Sequence, residues 1–125
     1  MILGIGLDLC EIRRIEKAIE KARFVERVYT PRERERIAGA EGTRRGEIAA
    51  GLFAAKEAVS KALGTGFDGF GFDAIEIVPD DRGRPTCALY GRARALAGPA
   101  AVHVTITHDS GMAAATAILE GADPA

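Results

Sequence analysis

The chain has 125 residues, of which 47% are hydrophobic and 28% are charged, a composition typical of one compact domain. Its formal net charge is −1, so the overall charge does not indicate a protein that binds nucleic acid or a membrane surface. The two cysteines, Cys10 and Cys87, suggest neither a metal-ligand cluster nor a disulfide framework, and no apolar run approaches the roughly 20 residues of a membrane span. These features predict a cytoplasmic protein whose residues 1–125 form a single domain.

The first half of the sequence predicts one strand followed by three helices. Isoleucines recur at helical spacing after Glu11, and the dipeptide Thr30-Pro31 is typical of a helix start. An alanine-rich segment predicts the longest helix, which Gly64 would end. The predicted elements are a strand over 2–7, a helix over 11–23, a helix from Thr30-Pro31, a loop over 39–46 and a helix over 47–63.

The second half predicts strands joined by turns. Val102, Val104 and Ile106 alternate with polar residues, which is the period of a strand with one buried face. The predicted elements are strands over 72–78, 86–90, 102–107 and 112–119, with a short helix over 93–96. The last two strands would form a hairpin. This order indicates an α+β fold in which a mainly antiparallel sheet packs on one long helix.

The long predicted helix carries two charges on a face that otherwise has small residues. Glu57 and Lys61 lie one turn apart on this face, with Ala50, Phe53 and Ala54 around them. Charges are seldom placed on such a face without partners, so we expect a ligand or another subunit to cover it. An ordinary ion pair between residues i and i+4 is the alternative interpretation of the two charges.

Asp8 is the other candidate, because it directly follows an apolar strand. The alternative is that Asp8 caps the helix that begins near Glu11. Asp8, Glu57 and Lys61 together would suit a magnesium-bound pyrophosphate, since Mg²⁺ takes one or two carboxylates and fills its other positions with water and phosphate oxygens. The residue types alone leave both interpretations open.

Two motifs occur in order along the chain and are specific when taken together. The first is Gly6-Leu7-Asp8 followed by Glu11-Ile12-x-Arg14-Ile15. The second is Phe53-Ala54-Ala55-Lys56-Glu57-Ala58-x-x-Lys61-Ala62 followed by Gly64-Thr65-Gly66. With Gly83-Arg84-Pro85 and the segment 103–109, these motifs resemble the holo-[acyl-carrier-protein] synthase family, of the 4'-phosphopantetheinyl transferase superfamily, over nearly the whole chain.

The resemblance implies the fold of that superfamily and an enzyme that transfers the 4'-phosphopantetheine group of coenzyme A to a serine of apo acyl carrier protein, giving 3',5'-ADP. It implies that Asp8 and Glu57 hold Mg²⁺ and that Lys61 lies beside the attacked phosphate, so these three are the expected catalytic residues. It also implies a homotrimer that binds coenzyme A in clefts between subunits. The positions that match the family's coenzyme site are Phe53, Lys61, Gly83, Arg84, Pro85 and His108.

One position departs from the family pattern. Many relatives have arginine where this chain has Leu52. A phosphate contact would then be missing, or would be supplied by Arg44 or Arg45 in the predicted loop before the long helix.

The first predicted helix carries a basic stripe made of Arg14, Lys17 and Lys21, roughly opposite its isoleucines. A solvated helix face is one interpretation, and a docking surface for an acidic partner is the other. The resemblance favours the second, because acyl carrier proteins are acidic and bind this helix in the family. Nucleic acid is disfavoured, since the chain is net negative and has no recognition motif.

Two other functions compete with the transferase. A magnesium-dependent nucleotide pyrophosphate hydrolase would use the same two carboxylates but would need neither a basic helix nor a carrier protein. A non-catalytic trimeric binding module would keep the fold alone, and the joint presence of Asp8, Glu57 and Lys61 argues against it.

Overall fold

Five α-helices and five strands make up the residues that the computed structural model of this chain describes, which are 1–122. Among those residues, no helix is both long enough and apolar enough to cross a membrane. The elements in chain order are β1 (Ile2–Glu11), α1 (Ile12–Ala18), α2 (Ala22–Val28), α3 (Pro31–Ala38), α4 (Thr43–Ala62), β2 (Ile75–Pro79), β3 (Pro85–Leu89), α5 (Gly91–Ala97), β4 (Ala101–Asp109) and β5 (Met112–Glu120). A short 3-10 turn, Phe72–Ala74, precedes β2.

The strands form two antiparallel sheets. The larger sheet has the order β1-β5-β4, so the last strand of the sequence is its central strand, and the smaller sheet is the hairpin of β2 and β3. The predicted C-terminal hairpin is present, and Ser110 and Gly111 form its turn with positive φ angles of 52° and 78°. The predicted α+β class is confirmed, with α4 as the one long helix.

Helix α4 lies against the larger sheet at backbone contact distance. A Cβ atom placed on Gly6 would lie 1.8 Å from the carbonyl oxygen of Ala58, and one on Gly4 would lie 1.9 Å from that of Ala62. Ala54 and Ala58 are fully buried at this contact. The small residues of α4 are therefore covered by the chain's own sheet, and the expectation that a ligand or a second subunit covers them is wrong.

A buried charge network joins α4 to three other segments. The Lys56 ammonium donates to the carbonyl oxygens of Val28, Phe72 and Ile75 at 2.8, 3.0 and 2.8 Å, and it forms an ion pair with Glu33 at 2.6 Å. The second carboxylate oxygen of Glu33 accepts from the Ile77 amide at 2.7 Å. Burial lowers the pKa of Lys56, and the facing charge of Glu33 opposes that shift. This network fixes the rotation of α4 about its axis.

The predicted first helix differs from the observed structure. The segment 11–23 contains two short helices, α1 and α2, which are separated at 19–21. In one straight helix, Phe24 and Val28 would point away from Ile12 and Ile15, because each residue turns the helix by about 100°. The break allows both pairs to pack against the core.

The N-terminal strand is also longer than predicted. It pairs with β5 up to Glu11, which lies opposite Met112. Asp8 is therefore inside a strand and not directly after one. Helix α4 begins at Thr43, within the predicted loop, and Gly64 follows its end with a φ of 85°, as expected for a helix terminator.

Candidate active site

The first side chain of the candidate site, Asp8, lies on the face of β1 that is turned toward α4. Strand residues alternate between the faces of a sheet, so Gly6, Asp8 and Cys10 share this inner face. The Gly6 backbone contacts Ala58, and the Cys10 thiol donates to the carbonyl of Ala50 at 3.4 Å. These contacts on both sides direct the Asp8 carboxylate at the surface of α4, and 17% of its side chain stays exposed.

Lys61 of α4 reaches across to β1. Its ammonium lies 3.2 Å from Asp8 Oδ1 and donates to the carbonyl oxygen of Leu7 at 2.9 Å, while 51% of its side chain remains exposed. Within 1–122 no ion pair joins Lys61 to Glu57, so the interpretation as an ordinary pair one helical turn apart is not supported. Asp8 is also not a helix cap, because Glu11 occupies that position in α1.

Glu57 is half-buried and faces Asp8. Burial and, next, the negative charge of Asp8 raise the pKa of Glu57, and the positive charge of Lys61 partly opposes this. The two carboxylates therefore repel each other across the gap between β1 and α4. A cation placed between them would remove that repulsion.

These donors suit Mg²⁺ and not a softer metal. Magnesium needs only one or two protein carboxylates, because water and phosphate oxygens complete its octahedral shell. The described part of the chain holds no group of three or more His, Cys, Asp or Glu side chains that could bind a metal by themselves. The neighbouring thiol is not a ligand candidate, since burial, followed by the charge of Asp8, raises the pKa of Cys10 to about 11.

A separate cleft of about 210 Å³ opens beside the start of α4. Its walls come from α3, α4, the turn between β2 and β3, and β4. Four of the predicted coenzyme-binding residues line it together: Arg44, Gly83, Pro85 and His108. Leu52, the residue that departs from the family pattern, also lines the cleft and is 1% exposed.

The other four predicted coenzyme residues, Arg45, Phe53, Lys61 and Arg84, do not line this cleft. Nη2 of Arg45 donates to the carbonyl oxygens of Ala38 and Ala40 at 3.4 and 3.0 Å. The guanidinium therefore caps the C-terminal end of α3. The prediction that Arg45 supplies a phosphate contact is therefore not supported by its position. Arg84 lies in the turn next to the cleft, where it pairs with Asp80 at 3.5 Å.

Phe53 lies elsewhere, in an aromatic cluster one helical turn before Glu57. Its ring stacks between those of Phe24 and Phe72, with centroid distances of 6.1 and 5.4 Å. Phe53 therefore borders the carboxylate pair and not the cleft.

The carboxylate pair and the cleft lie on opposite sides of α4. Ile48 lines the cleft, and Glu57 follows it nine residues later, which at about 100° per residue places the two side chains about 180° apart. On one chain, the two groups of residues therefore face away from each other.

The predicted basic stripe is exposed but is not continuous. Arg14 and Lys17 lie on α1, whereas Lys21 lies beyond the break, at the N-cap of α2. The structure also adds a cleft residue that the sequence did not indicate, Arg36 of α3. Its segment, Arg32-Glu33-Arg34-Glu35-Arg36, alternates in charge and has the pattern of a solvated helix.

Comparison with known proteins identifies the family of this chain. A family model described as the 4'-phosphopantetheinyl transferase superfamily matches residues 4–117. The holo-[acyl-carrier-protein] synthase of Clostridium acetobutylicum is 48% identical over 124 residues, with 96% of this chain and 98% of the relative covered. The corresponding protein of Solidesulfovibrio magneticus is 46% identical over 127 residues, with 97% and 100% covered.

Solved structures show the same relationship. The chain superimposes with a TM-score of 0.85 and 41% identity on a holo-(acyl-carrier-protein) synthase from Bacillus anthracis in complex with CoA (3',5'-ADP), covering 98% of this chain and 99% of the other. It superimposes with a TM-score of 0.81 and 31% identity on the Helicobacter pylori holo-[acyl-carrier-protein] synthase in complex with coenzyme A, covering 93% and 99%. The chain therefore belongs to the holo-[acyl-carrier-protein] synthase family, within the 4'-phosphopantetheinyl transferase superfamily.

Proposed function

We propose that this chain transfers the 4'-phosphopantetheine group of coenzyme A to a serine of an apo acyl carrier protein and releases 3',5'-ADP. The observation that carries the proposal is the meeting of Asp8, Glu57 and Lys61 between β1 and α4, in a chain whose relatives are named for this reaction. Relatives of known structure are in complex with coenzyme A, which fits the proposed donor.

Asp8 and Glu57 are the residues that would hold Mg²⁺. When bound, the ion supplies positive charge against the pyrophosphate of coenzyme A. Lys61 donates hydrogen bonds to the same phosphate oxygens, because half of its side chain is exposed and its ammonium already lies 3.2 Å from Asp8. Its charge stabilises the phosphate that leaves with 3',5'-ADP.

The reaction exchanges one phosphorus–oxygen bond for another. The serine oxygen of the carrier forms a bond to the β-phosphorus, and the bond from this phosphorus to the bridging oxygen of 3',5'-ADP breaks. The serine hydroxyl must lose its proton. Glu57 is this chain's candidate base, because its carboxylate belongs to the same site and can accept a proton.

The cleft on the other side of α4 would bind the adenosine end of coenzyme A. Arg44 and His108 offer hydrogen-bond donors, and Gly83 and Pro85 provide a wall from the turn between β2 and β3. The His108 ring lies 3.7 Å from the carboxylate of Glu47, which also lines the cleft.

A homotrimer with active sites between subunits would unite the two half-sites. The outer face of β1 supports such an assembly, because Leu3, Ile5, Leu7 and Leu9 are 55%, 64%, 63% and 63% exposed. Contiguous apolar faces of this kind mark interaction surfaces in proteins. On this proposal one subunit contributes Asp8, Glu57 and Lys61, and its neighbour contributes the cleft.

The exposed cations Arg14, Lys17 and Lys21 would receive the acidic carrier protein. They follow β1 in sequence, and complementary charge there would speed association and orient the serine. Arg14 also lies near the candidate site, since its positive charge lowers the pKa of the Cys10 thiol and so works against the stronger effect of burial. The cytoplasmic location expected from the sequence stays a prediction.

The test is mass spectrometry of an apo carrier protein after incubation with this chain, coenzyme A and Mg²⁺. We expect the carrier to gain one 4'-phosphopantetheine group and 3',5'-ADP to accumulate in equal amount. Incubation with coenzyme A and Mg²⁺ but without carrier distinguishes the transferase from the rival hydrolase, because only the hydrolase would release 3',5'-ADP under those conditions. Coenzyme binding without any transfer would support the binding module and contradict the proposal.

A further inference from the structure

Arg36 differs from the other two arginines of its helix, Arg32 and Arg34, which both have protein partners. Arg32 pairs with Glu76 at 3.9 Å, and Arg34 donates to the carbonyl oxygen of Tyr29 at 2.9 Å. Within residues 1–122, neither an ion pair nor a side-chain hydrogen bond engages the guanidinium of Arg36, which lines the cleft. Its charge is free for a ligand.

A second arginine, Arg44, lines the same cleft near Arg36 and also has no ion pair or side-chain hydrogen bond among the described residues 1–122. Burial and, next, the positive charge of Arg44 lower the pKa of Arg36, and Glu33 partly opposes this. The carboxylate that lines the cleft, Glu47, is 3.7 Å from His108. Two arginines in one cleft favour a ligand with more than one negative charge.

We propose that Arg36 binds the 3'-phosphate of coenzyme A and determines the enzyme's preference for coenzyme A over dephospho-coenzyme A. This inference rests on the proposed function. If Asp8, Glu57 and Lys61 take the pyrophosphate, the remaining phosphate of coenzyme A is the 3'-monoester, and it is the group available to the cleft. A phosphate monoester carries close to two charges at neutral pH and accepts the paired hydrogen bonds that a guanidinium offers.

The position of Leu52 explains why α3 would supply this contact. Leu52 lines the cleft but is apolar and 1% exposed, so α4 offers no guanidinium at that point. Arg45 is engaged with the end of α3. Arg36 of α3 therefore provides the second positive charge of the cleft, beside Arg44.

The experiment compares coenzyme A with dephospho-coenzyme A as donors for the wild type and for Arg36→Ala, Arg36→Lys and Arg94→Ala. Arg94 is an exposed arginine on α5 that does not line the cleft, and it serves as the matched control. For Arg36→Ala we expect the ratio of kcat/KM for coenzyme A to that for dephospho-coenzyme A to fall roughly tenfold or more, as for the loss of a charged hydrogen bond. The ratio should fall less for Arg36→Lys, and Arg94→Ala should keep the wild-type ratio.

An unchanged ratio in Arg36→Ala would overturn the inference and leave the proposed function intact. An equal fall in Arg94→Ala would also overturn it, because the effect would then come from general charge. If the wild type transfers from neither donor, the proposed function fails. In that case calorimetry decides the role of Arg36. It measures the binding of 3',5'-ADP and of 5'-AMP to the wild type and to Arg36→Ala, and only 3',5'-ADP should bind more weakly to the variant.

Discussion

Substituting Gly6 by alanine tests whether backbone contact between β1 and α4 sets the geometry of the carboxylate pair. The new Cβ would lie 1.8 Å from the carbonyl oxygen of Ala58. An ordinary contact needs more than 3 Å, so the two elements must separate by roughly 1.5 Å. Asp8 is two residues further along the strand and would move away from Glu57 and Lys61.

The expected costs follow from that displacement. Overpacking of this kind lowers the free energy of unfolding by about 1–3 kcal/mol. A displacement of about 1 Å at reacting groups can lower the rate about 100-fold. We therefore expect Gly6→Ala to lower the rate of transfer even at a temperature where the variant remains folded. The loss of rate should be far larger than the loss of stability explains.

Urea unfolding and the carrier mass-shift assay measure the two effects side by side. Gly39→Ala is the matched control, because a Cβ there meets its nearest atom at 3.4 Å and the backbone is helical, with a φ of −76°. Gly6→Ala with wild-type transfer and wild-type stability would refute the claim that this contact fixes the site.

Four further outcomes are expected. Glu57→Gln and Asp8→Asn should each fold normally and transfer almost nothing. In the metal-free protein, Glu57→Gln should unfold at higher urea than wild type at neutral pH, because the pKa of Glu57 is raised on folding and its ionised form is disfavoured there. That advantage should vanish below the ordinary pKa of glutamate, where the wild-type carboxyl is protonated in both the folded and the unfolded state. Charge reversal at Arg14 and Lys21 should raise KM for the carrier, and more so at low salt. Leu7→Glu should shift the sedimenting species from trimer to monomer and abolish transfer.

Normal transfer by Glu57→Gln or by Asp8→Asn would contradict the metal role of these two carboxylates. An equal urea midpoint for Glu57→Gln and wild type at all pH values would contradict the like-charge repulsion. Arg94→Glu on α5 is the control for the charge reversal, and an unchanged KM at Arg14 and Lys21 would argue against that docking surface. Ala95→Glu, exposed on α5, is the control for the sheet face, and a Leu7→Glu protein that remains trimeric would remove the assembly proposed there.

The sequence predicted the fold well where the periodicity was strong. The alternation of Val102, Val104 and Ile106 identified β4, and the alanine-rich segment identified α4. It failed at the break after Ala18, because Ile19 and Ala22 continue the helical spacing of the preceding isoleucines, and only the tertiary packing of the following residues requires the chain to turn.

The site was predicted in part for the same reason. Asp8 and Glu57 stand in local motifs, so their residue types and spacing drew attention to them. No local pattern distinguishes Arg36 from Arg45, because one faces a cleft and the other a helix end only after α3 and α4 have packed. The sequence did not indicate what buries the alanines of α4. The sheet that packs on them includes β5, which is far from α4 in the sequence.

The buried ammonium of Lys56 affects how the protein can open locally. It holds carbonyl oxygens from segments before and after α4, so releasing one of them would strand a charge in a low-dielectric interior. Those segments should therefore exchange their amide hydrogens together with α4, in one cooperative unit. The turn between β2 and β3 forms a wall of the cleft and lies outside this network, so we expect its amide hydrogens to exchange independently of that unit.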